Sequence, residues 1–334
     1  MHRRRFLAAM TGASAALAAP SVLRAQSAAT IKVATSTAPP SIHNIYLHVA
    51  HERGFFRDNG ITVSEFIQLR GGPLANQAIA AGQVDVTASD AEGLLSAAAR
   101  GFPIRGLTAP GAHLSYMVAV RKEMASVADL KGQPFAVSRP GALSQYLMFP
   151  MLDAAGVPHD AVQWLSVGGG RERMLALLSD RVKGALLHID FAMEAVNDPN
   201  IKLLKSVADI LPDYPFELLF LRKDMLDKNP AAATAITRAI IQACRSIVTD
   251  KSGTIEVMLK YVPGMKADVL DRAYAELLRI RGFGVNGDMT EKCMQVAHDL
   301  ALANKEIDHP FPLDQWADFG PQQRAMQSLG PFTG

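Results

Sequence analysis

The chain has 334 residues and a formal charge of +2, with 34 Lys and Arg against 32 Asp and Glu. This length suits two domains with separate cores better than a single domain. The near balance of charge gives no indication of a nucleic-acid partner.

The first 25 residues have the pattern of an export signal. Residues 3–5 are arginines, residues 6–19 are apolar and rich in Ala, and residues 23–25 fit a cleavage site. Residues 3–7 also fit the twin-arginine pattern, which would deliver a folded protein to the periplasm; Sec export is the alternative. Removing residues 1–25 changes the formal charge from +2 to −2, because they carry four arginines and no acid.

The remaining sequence has no run of 18 uninterrupted apolar residues, so we expect a soluble mature protein, and a monomer. Its two cysteines, Cys244 and Cys293, lie on different apolar helical stripes. This pattern favours two separate buried thiols. A disulfide is the alternative in an oxidising compartment.

Strand and helix alternate in the first part of the mature chain. The predicted strands are residues 29–36, 61–69, 84–89 and 104–109, and the predicted helices are residues 42–57, 73–81 and 91–100. This alternation predicts an α/β fold with a mostly parallel sheet that is covered on both faces.

The alternation is interrupted at residues 116–122, a predicted strand without a preceding helix. It then resumes with strands at residues 135–138, 162–167 and 184–188, helices at residues 142–155 and 171–179, and a further strand at residues 216–222. After Pro230 the pattern is helical, at residues 231–248, 254–261, 267–281 and 290–306.

We therefore predict two lobes. Residues 30–115 and 222–330 form the first lobe, and residues 118–218 form the second. Two strands would cross between them, near residues 112–118 and 216–222, and the helical C-terminal region would pack on the first lobe. Two lobes joined in this way can close on a ligand by hinge rotation.

Several segments resemble one family of binding proteins. They are VAHERGFFRDNGITV at residues 49–63, AIAAGQVDV at residues 78–86, DLKG at residues 129–132 and LRKD at residues 221–224. These segments resemble the substrate-binding proteins of ABC importers for aliphatic sulfonates, nitrate and thiamine-precursor pyrimidines. The resemblance implies a type II periplasmic-binding-protein clamshell, a small-molecule solute and an ABC permease as the partner.

Some relatives in that family are enzymes that build the thiamine pyrimidine with their own histidine, a pyridoxal phosphate lysine and a cysteine-rich iron motif. This chain has no such cysteine cluster, so we expect neither enzymatic activity nor a cofactor. A zinc-protease motif fails because Phe55 stands where its second histidine would be. Residues 168–170 are glycines after a strand, but no Gly-Lys-Ser/Thr follows them, and a nucleotide site is not expected.

Ligand candidates come from position, because ligands of open α/β sheets sit beyond the carboxyl ends of the strands. These candidates are Ser36, Thr37, Arg70, Gly71, Gly72, Ser89, Asp90, His113, Ser138, Arg139, Gly141, Ala142, Gly168, Gly169 and His188. Arg70 and Arg139 beside glycines suit an anion. Asp90 has an alternative role as the cap of the following helix.

The sequence thus predicts a periplasmic protein that captures a small organic anion, sulfonate- or carboxylate-like, for an ABC permease. A neutral aromatic solute such as a thiamine-precursor pyrimidine, or service to a sensor, are the alternatives.

Overall fold

The computed structural model describes residues 29–69, 72–262 and 264–333. The predicted export signal and the site candidates Arg70 and Gly71 lie outside the described residues.

The described chain forms two mixed sheets of five strands each, flanked by helices. The predicted α/β fold is confirmed, and each sheet contains antiparallel pairs beside the expected parallel ones. The first sheet has the order β2-β1-β3-β10-β4, and the second has the order β7-β6-β8-β5-β9. The strands are β1 (Ala29–Thr35), β2 (Ile61–Gln68), β3 (Val86–Asp90), β4 (Ile104–Gly111), β5 (Tyr116–Arg121), β6 (Pro134–Val137), β7 (Gln163–Ser166), β8 (Gly184–His188), β9 (Ile201–Ser206) and β10 (Glu217–Arg222).

The two sheets share one topology. In the first, β1 pairs in parallel with β2 and β3, and antiparallel β10 lies between β3 and β4. In the second, β6 pairs in parallel with β7 and β8, and antiparallel β5 lies between β8 and β9. The strand that enters the second sheet and the strand that returns to the first therefore occupy equivalent places.

The helices connect and cover these strands. They are α1 (Tyr46–Glu52), α2 (Phe55–Asp58), α3 (Gly72–Ala80), α4 (Ala91–Ala99), α5 (Leu143–Tyr146), α6 (Phe149–Ala154), α7 (Gly170–Leu178), α8 (Ile189–Ala195), α9 (Lys223–Lys228), α10 (Pro230–Thr249), α11 (Lys251–Tyr261), α12 (Ala267–Arg279), α13 (Glu291–Ala303) and α14 (Gly320–Leu329). Within the described ranges, none is both long and apolar enough to cross a membrane.

Two predicted helices are each divided in the structure. The segment predicted as one helix over residues 42–57 is a 3₁₀ turn (Ile42–Asn44) followed by α1 and α2. Gly54, with φ of 74°, breaks the helix between α1 and α2, because this left-handed conformation is accessible to glycine. The predicted helix over residues 142–155 is likewise divided into α5 and α6.

The strand β9 was not predicted, and the two crossing strands belong to single sheets. β5 lies wholly in the second sheet and β10 wholly in the first. The chain therefore passes between the sheets through residues 112–115 and 207–216, and not through strands shared by both. Sequence pattern did not reveal this, because a strand's partners are not encoded in its own periodicity.

Two apolar layers cover opposite faces of the sheets. Neighbouring strand residues alternate between them: Val33 and Ala119 belong to one layer, and Ala34 and Val118 belong to the other. Both layers contain side chains from both sheets. This alternation follows from the two-residue period of a strand and explains why the central strands are apolar on both faces.

The helical C-terminal region is present. It contacts both halves of the molecule, that is, the first sheet with its helices and the second sheet with its helices. α10 packs against α1, α2 and β4 of the first half, whereas α12 packs against α8 of the second. Arg279 of α12 also pairs with Asp209 in the returning crossover, with Nη1 3.0 Å from Oδ1. The expected packing on the first half is therefore present, and a contact with the second half is added to it.

Both cysteines are free and buried. Cys244 lies in α10 and Cys293 in the first turn of α13. The prediction of two separate buried thiols is confirmed.

α10 is the longest helix of the described chain, at 20 residues, and Asn229 caps it by accepting a hydrogen bond from the Ala232 backbone N–H at 3.0 Å. We expect Asn229→Ala to lower the free energy of unfolding by about 1 kcal/mol, because this donor loses its partner. Asn229→Gly is the matched control and should cost only a few tenths of a kcal/mol. Urea unfolding followed by circular dichroism measures both, and equal stability of the two variants would contradict a capping role.

Candidate functional site

Residues that follow the carboxyl ends of strands in the two sheets meet in direct contact, and we call the region between these strand ends the cleft. A stack of aromatic rings joins the two sides there. The imidazole of His43, just after β1, stacks on that of His188, at the end of β8, with centroids 4.5 Å apart. His188 also stacks on Tyr116 at 4.2 Å, and Phe216 lies 5.1 Å from His43 and 5.3 Å from Tyr116.

Both imidazoles of the stack are neutral. Burial lowers the pKa of His43 to about 3. Burial also lowers the pKa of His188, and the positive charge of Arg173 and the neighbouring His43 add to this effect. A neutral ring stacks on another ring without the cost of a buried charge, so these largely buried rings form an apolar aromatic wall between the two sides.

A buried hydrogen-bond network crosses the cleft beside the stack. The Ser41 hydroxyl donates to Asp190 Oδ2 at 2.5 Å and lies 2.6 Å from His43 Nδ1. Since serine has one hydroxyl proton and gives it to Asp190, His43 Nδ1 carries the proton of the second bond. Ser41 and His43 precede α1 in the first half, whereas Asp190 lies in the first turn of α8. We call Ser41, His43 and Asp190 the cross-cleft network.

This network is not a nucleophilic triad. In a triad the acid binds the imidazole and the imidazole binds the nucleophile. Here Asp190 holds the hydroxyl itself, and the nearest carboxylate oxygen to His43 Nε2 is that of Glu217, at 3.8 Å. The Ser41 proton is therefore directed at Asp190 and not at the imidazole.

Glu217, at the start of β10, is a buried acid below the stack. Tyr46 Oη donates to its Oε2 at 2.8 Å. Burial raises the pKa of Glu217 to about 8, with a smaller contribution from the charge of Asp90. The carboxyl group is therefore largely protonated at neutral pH.

An acidic group lies on the first-half side of the cleft. Asp90 caps α4 by accepting from the Gly93 backbone N–H at 2.7 Å. Burial raises the pKa of Glu92, in the first turn of α4, to about 9, and the charges of Asp90 and Glu306 raise it further. The charge of Arg139, from the opposite side, acts against this increase.

The structure brings Gly72, Ser89 and Asp90 together. A Cβ on Gly72 would lie 2.6 Å from Ser89 Oγ and 3.2 Å from Asp90 Oδ2, so the start of α3 packs directly on the end of β3. Only glycine permits this approach. Ser36 is buried nearby in sequence after β1, and Thr37 Oγ1 accepts a hydrogen bond from Asn44 Nδ2 at 2.7 Å.

The predicted loop at residues 138–142 uses several of its donors internally. The Ser138 backbone N–H donates to Ser144 Oγ at 2.9 Å, and the Gly141 N–H donates to Gln145 Oε1 at 2.7 Å. Arg139 is exposed, and Ala142 precedes α5, which has only four residues. Side chains of α5 therefore already accept from these two N–H groups, which leaves neither of them free for an anion.

The remaining candidates are Gly168, Gly169, His113 and His188. Gly169 is the N-cap of α7, and Gly168, with φ of 99°, accepts a hydrogen bond from Arg173 through its carbonyl oxygen. His113 lies after β4, where its Nδ1 is 2.9 Å from the Arg281 carbonyl oxygen, a contact with the turn after α12. His188 is in the aromatic stack.

Several residues of the site were not singled out from the sequence. These are Ser41, Tyr116, Arg173 and Glu217. Their neighbours in the site are distant in sequence: Ser41 and Asp190 are separated by 149 positions. The only local signal was a polar residue within or beside an apolar strand, as for Glu217. That signal does not show which residues lie next to it in the folded chain.

The described residues contain no group of three or more His, Cys, Asp and Glu side chains placed to hold a metal ion. Two histidines in or near α1 contact other rings: His43 lies in the stack, and His48 packs against Phe66 and Tyr261.

The fold, with its two five-stranded mixed sheets and a cleft at the strand ends, is that of the periplasmic binding proteins. The sequence profile described as "NMT1/THI5 like" matches residues 41–251. The chain therefore belongs to this family. A search of curated protein sequences finds no match.

Solved structures share this fold at low sequence identity. A protein of Bordetella bronchiseptica RB50 is 23% identical, with a TM-score of 0.70 over 91% of this chain and 98% of its own. A putative periplasmic sulfonate-binding protein of Methylobacillus flagellatus KT is 18% identical, with a TM-score of 0.73 over 91% and 95%. The periplasmic nitrate-binding protein of Synechocystis PCC 6803 is 15% identical, with a TM-score of 0.68 over 90% and 89%.

Stability should fall between pH 7 and pH 9. Glu217 and Glu92 have folded-state pKa values of about 8 and 9, above the usual value of 4.5, so their contribution is lost as pH rises through those values. His43 acts in the opposite sense, but only between pH 3 and 6.5, below this window. We expect the loss from Glu217 alone to be about 1 kcal/mol.

Glu217→Gln tests this assignment, because the amide oxygen still accepts from Tyr46 but does not titrate. Chemical denaturation at pH 7 and pH 9 should show a smaller loss of stability in the variant than in the wild-type protein. An identical loss in both proteins would exclude Glu217 as a source of the pH dependence.

Proposed function

We propose that this protein is the solute-binding component of an ABC importer, which captures a small organic anion in the cleft and delivers it to a membrane permease. The observation that carries this proposal is that the strand ends of the two sheets meet at one place. Two sheets of identical topology point their strand ends at each other, with an aromatic wall and polar groups between them. Family membership and the similarity to a sulfonate-binding protein support it.

The proposed lobes are residues 30–115 with 222–330, and residues 118–218. They would separate and close by rotation in the two crossovers. The cross-cleft network connects the first lobe to the second and would stabilise the closed form. No covalent step is part of this proposal.

We further propose that residues 1–25 direct the protein to the periplasm, through the twin-arginine route, and are then removed. A folded clamshell with a bound solute is compatible with that route.

A flat aromatic solute is the second candidate. The stack of His43, His188, Tyr116 and Phe216 favours it, because aromatic faces bind planar rings. A thiamine-precursor pyrimidine has that shape. The two candidates differ in ligand charge, which the first experiment distinguishes.

Native mass spectrometry of protein purified from the periplasm should show the chain with one small organic solute bound. A thermal-shift panel of alkyl- and arylsulfonates, carboxylates, nitrate and aminopyrimidines should then show stabilisation by the anions. Stabilisation by aminopyrimidines alone would favour the second candidate. No bound solute together with no stabilisation by any compound would contradict a solute-binding role.

The cross-cleft network should shift the balance between the open and closed forms. Ser41→Ala and Asp190→Asn each weaken the bond between the lobes, so we expect the closed fraction relative to the open fraction to fall about tenfold. Small-angle X-ray scattering of the solute-free variants should give a larger radius of gyration than that of the wild-type protein.

Ser64→Ala is the matched control, because the Ser64 hydroxyl donates to the Ile31 carbonyl oxygen within the first sheet. Its radius of gyration should equal that of the wild-type protein. Equal radii for all four proteins would rule out a role of the network in closure.

A further inference from the structure

Arg173 is a buried cation at the cleft. It lies in the first turn of α7, and only 3% of the residue is exposed. Its Nε donates to the Leu186 carbonyl oxygen at 2.8 Å, and its Nη1 donates to the Gly168 carbonyl oxygen at 2.7 Å. These two bonds hold the guanidinium between the end of β8 and the glycine loop before α7.

The charge of Arg173 has no counter-ion in the described residues. No carboxylate oxygen among them lies within 4.0 Å of its guanidinium nitrogens. The carboxylate of the adjacent Glu172 is exposed and lies against Gly169. Burial lowers the pKa of Arg173, as expected for a cation without a paired anion. Carbonyl dipoles satisfy its donors but leave its net charge, and a buried net charge is costly.

Arg173 lies beside the aromatic wall. Its charge acts on the hydroxyl of Tyr116, whose ring stacks on His188. His188 Nδ1 is buried and has no hydrogen-bond partner. Gly170 lies against the same ring, since a Cβ there would be 3.4 Å from His188 Cδ2. A cation and an unpartnered nitrogen thus lie beside the same aromatic face.

Arg139 has a different environment. It is exposed, and the charges that reach it are those of Glu92 and Glu306 on the opposite side of the cleft. Arg139 is therefore a solvated surface charge beside two acids whose pKa values are raised, and it is not a buried cation like Arg173.

We propose that Arg173 is the specificity-determining residue for the anionic group of the solute. The solute would be a planar or aromatic body with one oxyanion, an arylsulfonate or arylcarboxylate, whose ring lies beside Tyr116 and His188. The oxyanion would neutralise Arg173 and accept from the Tyr116 hydroxyl. This inference rests on the proposed function and narrows its ligand class.

The test compares two probes that share a phenyl ring and a sulfur atom, benzenesulfonate and uncharged methyl phenyl sulfone. Isothermal titration of the full mature chain should show tighter binding of benzenesulfonate. Arg173→Gln should weaken benzenesulfonate binding about 30-fold or more and leave sulfone binding within about threefold. Arg173→Lys keeps the charge and should lose less than Arg173→Gln, because a lysine does not reproduce the planar fork.

Arg171→Gln is the matched control, because Arg171 is exposed on the same helix turn and carries the same charge. It should bind both probes as the wild-type protein does. Circular dichroism checks the fold of each variant, and if Arg173→Gln does not fold, the ratio of the two affinities in Arg173→Lys decides. An unchanged ratio in the folded Arg173 variants would overturn the assignment.

The outcomes also separate this inference from the proposed function. If wild-type protein binds the sulfone at least as tightly as benzenesulfonate, or co-purifies with an uncharged solute, the role of Arg173 is refuted and solute binding stands. If it binds neither probe but co-purifies with an organic anion, Arg173→Gln must release that anion, or the role is refuted. If it binds no solute at all, both proposals fall.

Discussion

The architecture depends on where two antiparallel strands are inserted. β5 enters the second sheet between β8 and β9, and β10 returns to the first between β3 and β4. A strand in the middle of a sheet forms hydrogen bonds with a neighbouring strand on each side, so β5 and β10 are held firmly in their sheets. The ends of the two crossovers are thereby anchored in the sheets, and the carboxyl ends of parallel strands from both sheets meet at one cleft.

Several polar groups are buried together in that cleft. Burial determines whether each of them is protonated. Glu217 and Glu92 are kept neutral by desolvation, and His43 is kept neutral for the same reason. The side chains that remain charged are consequently few. Arg173 differs from these groups because a guanidinium does not lose its proton in proteins, so its buried charge persists.

The C-terminal helices show how the rest of the chain supports this arrangement. α10 covers the first half, whereas α12 reaches α8 and pairs Arg279 with Asp209 in the returning crossover. A contact at the crossover itself adds to the connection between the halves. The helical region is thus part of the connection between the two sheets as well as a cover for one of them.

Much of the fold could be predicted from the sequence, because hydrophobic periodicity and glycine positions are local. Local pattern was enough to predict the alternation of strand and helix, the two separate buried cysteines and the family resemblance. Local pattern also predicted that Gly72, Ser89 and Asp90 follow strands, and capping of α4 by Asp90 was one of the two roles considered. β9 was missed, and so were the divisions of two helices, because short elements give a weak periodic signal.

The tertiary structure alone decided which residues meet in the cleft. Ser41 and Asp190 form one hydrogen bond across 149 positions, and His43 stacks on His188 from the other half of the chain. The tertiary structure also decided which arginine is buried. Arg139 and Arg173 both lie near the start of a helix, but Arg139 is exposed and Arg173 is buried. Burial and long-range proximity are properties of the packed chain, and residue type and spacing do not contain them.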